Sequence, residues 1–336
     1  MKWRKLTLNT TTEALDYLGA IAMDLGLEGF EIEDNVPLSE EDKKRMFIDI
    51  LPTLPPDDGS ARVSFYVSED TDTDKLLGDI KREADDYSEL CDFGKMTFDV
   101  GLTDDRDYIN NWKKYFKSFR VNERLVIKPT WEKETPLITE GDTVIEIDPG
   151  TAFGTGAHET TKLCLIAMSK YLKKGELFMD MGCGSGILSI AAVLFGAGKA
   201  FGFDVDDNAS RISIENAGIN KIPAEYEKDF DGCDIEGIKD GSILFATGNL
   251  LDSKDIPHAL EDKKFDFIAA NILADIIIPL APYARKLIKD GGIITCSGIL
   301  TTKEESVVKA LRESGFEIIE TEHMGEWSGV TARASV

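Results

Sequence analysis

Cysteine and histidine are scarce in this chain of 336 residues, which has five cysteines and three histidines. No two cysteines form a C-x-x-C pair, so the sequence predicts neither a zinc clamp nor a redox dithiol. We expect reduced thiols that pack as small apolar side chains. The histidines show no metal-ligand spacing, and we expect no metal site. The residues concerned are Cys91, Cys164, Cys183, Cys233, Cys296, His158, His258 and His323.

Positive charge is also in short supply: 38 lysines and arginines stand against 62 aspartates and glutamates, a formal net charge of −24. This balance argues against direct nucleic-acid binding, which needs clustered Lys and Arg. The negative charge would attract a basic protein partner instead. The simpler explanation of the charge is solubility alone. No apolar run approaches the roughly 18 residues of a membrane span, and the opening MKWRKLTLNTTTEALDYL lacks the apolar core of a signal peptide. We expect a cytoplasmic monomer without membrane contact.

The first hundred residues alternate between patterns typical of strands and of helices. Their order is βαββαβ, which predicts a split βαβ, ferredoxin-like α+β domain over 1–102. A threonine cap is expected to open the first helix. The predicted strands are 2–8, 29–33, 61–68 and 95–102, and the predicted helices are 12–25 and 74–90. The polar segment 39–60 is predicted to be an exposed insertion or hairpin loop.

Residues 103–147 are predicted to be an aromatic-rich linker and connector between two domains. The remainder, 148–336, alternates strands and helices in a longer series, which is typical of a doubly wound α/β domain with a mostly parallel sheet. Its predicted strands are 177–181, 200–204, 243–247, 265–271, 292–297 and 317–321.

The stretch LFMDMGCGSGILSIAAVLFGAGKAFGFDVD (177–206) carries the strongest chemical signal. A strand ends in Asp180, a turn with Gly182, Gly184 and Gly186 follows, and the next strand ends at Asp204. In a doubly wound sheet both strand ends lie where ligands bind, and the second acid can accept hydrogen bonds from ribose hydroxyls. The spacing is D-x-G-x-G-x-G, whereas a dinucleotide site has G-x-G-x-x-G. The extra carboxylate suits a ligand with a positive amino group, and the motif resembles the S-adenosylmethionine site of Rossmann-like methyltransferases. An NAD site, or a turn that serves packing only, is the alternative.

Asn271 ends the predicted strand 265–271, where methyltransferases of amino groups commonly carry Asn or Asp. Methyl transfer to an amine mainly requires a positioned neutral lone pair, and an amide oxygen can accept the hydrogens of the amine. Here Ile272-Leu273-Ala274 replaces the usual Pro-Pro-aromatic continuation. A plain strand cap is the other interpretation of Asn271.

Five motifs together resemble the PrmA family, the methyltransferases of ribosomal protein L11. They are FGTGAHETT (153–161), DMGCGSGILSIAA (180–192), GFDVD (202–206), ANILA (270–274) and SGIL (297–300). The resemblance implies a seven-stranded Rossmann-like domain behind a ferredoxin-like domain that grips the substrate. It also implies trimethylation of lysine side chains and of the α-amino group of a basic ribosomal protein. The implied cofactor contacts are Thr161, Asp180, Gly182, Gly184, Asp204, Asn249 and Asn271. Asn249 stands where the family often has Asp near the adenine.

The glycine-rich loop 148–161 is not a phosphate loop, because it lacks the Gly-Lys-Thr/Ser ending. We interpret it as a lid over the methionine end of the cofactor, in which His158 orders the loop rather than acting as a base. The acidic segment 223–242 and the SEEDKKR segment are expected to be solvated loops, or to alter substrate docking. Two other functions stay open: methylation of another protein or amine, and a ribosome-binding assembly factor without activity.

Overall fold

The computed structural model describes residues 2–27, 30–37, 55–104, 116–148, 156–252, 256–261 and 263–336. The chain divides into two compact units, Met1–Lys114 and Tyr115–Val336. Most of the polar segment predicted over 39–60 lies outside the described residues. Of the predicted connector 103–147, the described residues 103–104 belong to the first unit and 116–147 belong to the second.

The described residues of the first unit form an antiparallel sheet in the order β2-β3-β1-β4, with helices in the chain order βαββαβ. The elements are β1 (Lys2–Thr11), α1 (Leu15–Asp24), β2 (Phe30–Asp34), β3 (Ser60–Ser68), α2 (Thr73–Asp86) and β4 (Thr97–Asp104). Alternate residues such as Leu6, Leu8 and Phe65 are buried in one core with Leu18 and Ile80 of the helices. This is the ferredoxin-like arrangement that the sequence predicts.

The predicted threonine cap of the first helix is wrong. Thr11 precedes a single 3-10 turn, Thr12–Ala14, without a capping side-chain hydrogen bond. Its Oγ1 instead donates to the carbonyl oxygen of Asp92, 2.6 Å away. The hydroxyl thus ties the end of β1 to the segment before β4, a contact between residues far apart in the chain.

The second unit begins with a sheet of three strands, β5 (Phe119–Arg120), β6 (Leu125–Pro129) and β7 (Thr143–Ile147). Asp142 accepts from both terminal nitrogens of Arg120, at 2.9 and 2.7 Å, and this guanidinium holds the pKa of the Asp142 carboxyl well below its usual range. Glu146 in β7 exchanges two hydrogen bonds with the side chain of Asn220. Residues 116–147 of the predicted connector are therefore a structured layer of this unit.

The large sheet has the strand order β10-β11-β9-β8-β12-β13-β15-β14 and is parallel except for β15, which runs antiparallel to β13 and β14. The strands are β8 (Leu177–Met181), β9 (Lys199–Asp204), β10 (Ala224–Glu227), β11 (Ser242–Thr247), β12 (Phe265–Asn271), β13 (Ile288–Leu300), β14 (Phe316–Met324) and β15 (Trp327–Ala334). The helices are α3 (Glu159–Tyr171), α4 (Ile187–Leu194), α5 (Asp207–Ile219), α6 (Ala274–Leu287) and α7 (Glu304–Glu313). The Rossmann-like fold is confirmed, but the described residues give the sheet eight strands rather than seven because β10 adds a parallel edge strand.

The acidic segment 223–242 is not the solvated loop that its charge predicts. It begins with β10, and four apolar residues after that strand are buried in the main core beside β9 and β11. These residues are Phe230, Cys233, Ile235 and Ile238. The acidic residues dominate the composition, but the apolar residues between them decide where the segment lies.

All five cysteines are buried free thiols. Within the described residues, no group of three or more His, Cys, Asp or Glu side chains could hold a metal ion. No helix in that part of the chain is long and apolar enough to cross a bilayer.

Candidate active site

The topological switch point of the large sheet lies between β8 and β12. The chain runs outward from β8 through β9, then returns to place β12 on the other side of β8. Asp180 of β8 pairs with Ala269 of β12, so both strands end at the same edge. In open α/β sheets this edge carries the ligand crevice.

The turn after β8 accepts only glycine at two of its positions. Gly182 has φ +78° and Gly186 has φ +80°, both in the left-handed region. A Cβ at Gly182 would lie 2.5 Å from Ile272 Cγ2, and one at Gly186 would lie 2.9 Å from Ser213 Cβ. The backbone N–H groups of Gly182 and Cys183 both donate to the Phe203 carbonyl oxygen at 2.9 Å, which fixes the turn against β9.

Asp204 ends β9 directly beside this turn. Its Oδ2 accepts from the backbone N of Gly184 at 2.9 Å, and its Oδ1 accepts from the backbone N of Asp206 at 3.0 Å. Each carboxylate oxygen has a second lone pair available. The half-buried carboxylate is therefore held in one orientation and can still accept from a pair of ribose hydroxyls.

Asp180 lies fully buried under the turn. Its Oδ2 accepts from the backbone N and the hydroxyl of Ser189 at 3.0 and 2.8 Å, whereas Oδ1 has no hydrogen-bond partner. Burial, with a contribution from the charge of Asp204, raises the pKa of the Asp180 carboxyl to about 7. A buried acceptor without a partner is costly, and a positively charged donor at the turn would relieve that cost.

Asn271 and Thr161 meet although 110 positions separate them in the chain. The side-chain Nδ2 of Asn271 donates to Thr161 Oγ1 at 3.2 Å. Thr161 is fully buried, and Asn271 Oδ1 is a buried acceptor with no partner. The pair therefore presents one amide oxygen that a donor from a substrate can satisfy.

Asn249 follows β11, and its side chain is engaged within its own turn. Nδ2 donates to Asp252 Oδ1 at 2.9 Å, and Oδ1 accepts from the backbone N of Leu251 at 3.0 Å. The preceding residue, Gly248, donates its N–H to the Asp204 carbonyl oxygen at 2.8 Å. Asn249 thus lies at the same sheet edge as Asp204, but no hydrogen bond of its side chain joins it to the other predicted residues.

His158 is the N-cap of α3. Its Nδ1 lies 2.9 Å from Thr160 Oγ1 and accepts from the Thr160 backbone N at 3.4 Å, while its ring packs against Trp327 at 5.1 Å between centroids. Of the predicted lid, 149–155 lie outside the described residues. Its described end reaches the site, since a Cβ at Gly156 would lie 2.7 Å from Ile187 Cδ1 at the start of α4.

Two residues of the site were missed by sequence reasoning. Ser189 supplies both hydrogen bonds to Asp180, and its signal was a polar residue within the apolar helix ILSIAAVL. Ile272 covers Gly182, and the sequence signal was only its departure from Pro-Pro. Both contacts depend on how α4 and the end of β12 pack against the glycine turn.

This crevice fits S-adenosylmethionine in three respects. The glycine turn lets a ligand approach the backbone, Asp204 can accept from ribose hydroxyls, and the unpartnered Asp180 Oδ1 suits a cationic donor. Asn271 offers an acceptor at the next strand end. Together with the Rossmann-like sheet, these features define an S-adenosylmethionine-dependent methyltransferase.

Comparison with known proteins narrows this class to one family. The family model described as ribosomal protein L11 methyltransferase (PrmA) matches residues 2–335, and the chain belongs to that family. A ribosomal protein L11 methyltransferase from Lachnoclostridium phytofermentans is 44% identical over 333 residues, 99% of each chain. One from Lachnospira eligens is 43% identical over 334 residues, again 99% of each chain. The solved ribosomal protein L11 methylase from Lactobacillus delbrueckii subsp. bulgaricus is 30% identical with a TM-score of 0.53, covering 66% of this chain and all of that one.

Proposed function

We propose that the protein transfers methyl groups from S-adenosylmethionine to lysine side chains and to the α-amino group of ribosomal protein L11. Membership of the PrmA family over residues 2–335 supports this substrate. The observation that carries the chemistry is the buried, unpartnered Oδ1 of Asn271 at the end of β12, because an amine donates hydrogen bonds.

The cofactor contacts in this proposal follow the geometry of the sheet edge. Gly182 and Gly184 give backbone access, Asp204 accepts from the ribose, Asp180 favours the amino group, and Asn249 borders the adenine. When bound, S-adenosylmethionine supplies a methyl group that its sulfonium has already activated for in-line displacement. The protein therefore needs to position the amine rather than to activate a leaving group.

Asn271 and Thr161 position the incoming amine. Thr161 Oγ1 holds the amide through Nδ2, so that Oδ1 can accept an N–H and direct the nitrogen lone pair away from it. A lysine amine, with a pKa of about 10.4 in water, must lose a proton to solvent before the transfer, and desolvation in the crevice favours this loss. His158 caps α3 through Thr160 and orders the end of the loop.

The two compact units divide the work in this proposal. The ferredoxin-like unit recognises ribosomal protein L11, and the Rossmann-like unit carries out the transfer. The formal charge of −24 attracts a basic protein and disfavours nucleic acid. Because both units belong to one chain, a substrate held by the first unit presents several amines at a high effective concentration to one site, which suits more than one product. We further propose that the chain acts as a monomer in the cytoplasm, where five free cysteines persist.

The test is intact-mass analysis of purified ribosomal protein L11 after incubation with the protein and S-adenosylmethionine. Mass gains in whole methyl increments are expected, and peptide mapping should place them on lysines and on the N-terminal amine. The Asn271→Ala variant is the control for contaminating activity. A folded protein that binds ribosomal protein L11 but adds no methyl group would favour the assembly-factor alternative. Gains on side chains other than lysine would contradict the amine specificity.

A further inference from the structure

The turn that carries Asn271 rests on the end of the neighbouring strand β13. Asn271 pairs with Ser297, and the backbone N of Ile272 donates to the Ser297 carbonyl oxygen at 3.1 Å. A Cβ at Gly298 would lie 2.4 Å from the carbonyl oxygen of Ile272, so the two backbones are in direct contact. The position of Ser297 and Gly298 therefore sets the position of the Asn271 turn.

Ser297 and Gly298 form a bulge in the ladder between β13 and β15. Cys296 pairs with Val330 and Ile299 pairs with Ser328, so two residues of β13 stand opposite one residue of β15. Gly298 has φ +82°, the left-handed conformation that such a bulge uses. Bulges redirect a strand locally, and this one redirects β13 at its contact with the Asn271 turn.

A chain of hydrogen bonds holds the bulge in place. Ser297 Oγ donates to the Ser328 carbonyl oxygen at 3.2 Å, and Ser328 Oγ donates to Glu304 Oε2 at 2.6 Å. Both serines are fully buried. Glu304 Oε2 also lies 2.6 Å from His323 Nε2, and His323 is the partner of Ser328 across β14 and β15.

Glu304 is the outer end of this chain. Its carboxylate sits at the first residue of α7, where the helix N-terminus favours negative charge. Burial raises the pKa of the Glu304 carboxyl, but the hydrogen bonds from Ser328 and His323 outweigh burial and hold the pKa below its usual value. The bond to Ser328 is therefore charge-assisted at neutral pH and stronger than a neutral one.

We infer that Ser297, Ser328 and Glu304 are positioning residues for the transfer step, which hold Asn271 in place through the bulge at Ser297 and Gly298. This inference rests on the proposed function. The hydrogen bonds of the three side chains join these residues to one another and to His323, whereas the glycine turn has its own bonds to Phe203 and Asp204. Loss of these hydrogen bonds should therefore disturb the positioning of the amine more than the binding of the cofactor.

The kinetic test compares Ser297→Ala with Thr295→Val. Thr295 lies two residues earlier in β13, and its buried hydroxyl pairs with Thr331 on β15 at 3.3 Å. Loss of this hydroxyl is a matched control, because Thr295 takes no part in the hydrogen bonds of Ser297, Ser328 and Glu304. Ser297→Ala should lower kcat about tenfold and change the KM for S-adenosylmethionine much less, because small misplacements of reacting groups are costly and the glycine turn keeps its own hydrogen bonds. Thr295→Val should leave both parameters near those of the wild type. Equal kcat values for the two variants overturn the inference.

A second pair of variants acts at the outer end of the chain and covers the case in which Ser297→Ala does not fold. Glu304→Gln keeps an oxygen that can accept from Ser328, whereas Glu304→Ala does not. The glutamine variant should therefore retain more kcat than the alanine variant. Identical losses in both overturn the role of the hydrogen bond.

Hydrogen exchange separates this inference from the proposed function, because it needs no activity. The amide of Ile272 should exchange faster in Ser297→Ala and in Glu304→Ala than in the wild type, and at the wild-type rate in Thr295→Val. If the wild type methylates no ribosomal protein L11, the proposed function fails, while the exchange rates still decide whether the chain holds the turn. Unchanged exchange at Ile272 in both alanine variants overturns the inference.

Discussion

Replacing Gly182 with alanine should destabilise the second unit by more than the conformational cost of the substitution. Gly182 has φ +78°, and its Cβ would lie 2.5 Å from Ile272 Cγ2, well inside van der Waals contact. Ile272 would have to move, and it directly follows Asn271. The substitution should thus lower stability and disturb the candidate site together.

The loss of stability in Gly182→Ala has two contributions, the backbone conformation and the steric overlap, which a control variant can separate. A left-handed conformation costs a residue with a Cβ about 1–2 kcal/mol, and alanine recovers about 0.4–1 kcal/mol by restricting the unfolded chain. Gly175 has a similar φ of +84° with no atom within 4 Å of its Cβ position, so Gly175→Ala should cost only about 1 kcal/mol. Gly182→Ala adds overpacking of about 1–3 kcal/mol, for a total of about 2–4 kcal/mol.

Urea unfolding of both variants measures these free energies, and titration calorimetry with S-adenosylmethionine reports the site. Gly182→Ala should also bind the cofactor more weakly, whereas Gly175→Ala should bind it as the wild type does. Shortening Ile272 to alanine in the Gly182→Ala background should make the double variant less destabilised than the sum of the single changes. Equal costs for the two glycine variants, or strict additivity with Ile272→Ala, would refute the steric argument.

Further predictions concern four polar side chains. The pKa of the Asp180 carboxyl is about 7 in the folded state, against a usual value of 3.8. Between these pH values the folded state holds a proton that the unfolded state has lost, so the stability of the wild type should fall relative to Asp180→Asn as the pH rises. Parallel urea titrations at several pH values measure this difference. A pH-independent difference contradicts this. Asn271→Ala should lower kcat roughly a hundredfold, as loss of one preorganised polar group does, and more than Thr161→Ala; radiolabelled methyl incorporation ranks the two, and the reverse order would contradict the assigned roles. His158→Asn should retain more activity and a higher melting temperature than His158→Ala, because asparagine also caps helices; equal inactivity of both variants would indicate a base instead.

Local patterns were sufficient for most of the elements and for the glycine turn, but β5, β6, β7, β10 and β15 lie outside every predicted strand. Strand and helix patterns predicted the four strands of the first unit and six strands of the second, and the order βαββαβ predicted the ferredoxin-like topology that the first sheet has. The glycines at 182, 184 and 186 all have positive φ, as close approach of a ligand to the backbone requires. These features depend on the backbone preference of each residue and on the spacing of apolar residues along the chain, and short stretches of sequence determine both.

Composition was a poorer guide to the position of a segment in which a few apolar residues decide the packing. The segment 223–242 is rich in acids, but Phe230 and Ile235 are buried in the core and its first residues form an eighth strand. Burial of an apolar side chain stabilises by a few kcal/mol, while its charged neighbours need only remain in water. The net charge therefore did not reveal where the segment packs.

Sequence by itself determined the two units' fold types, the D-x-G-x-G-x-G turn and the acid that ends the next strand. Only the tertiary structure decided that Asn271 bonds to Thr161, that Ile272 covers Gly182, and that Ser297 supports the same turn. The physical reason is that conformational preference is a property of short stretches. Contacts between distant stretches depend on the order in which strands pack side by side, and here that order places β8, β12 and β13 together.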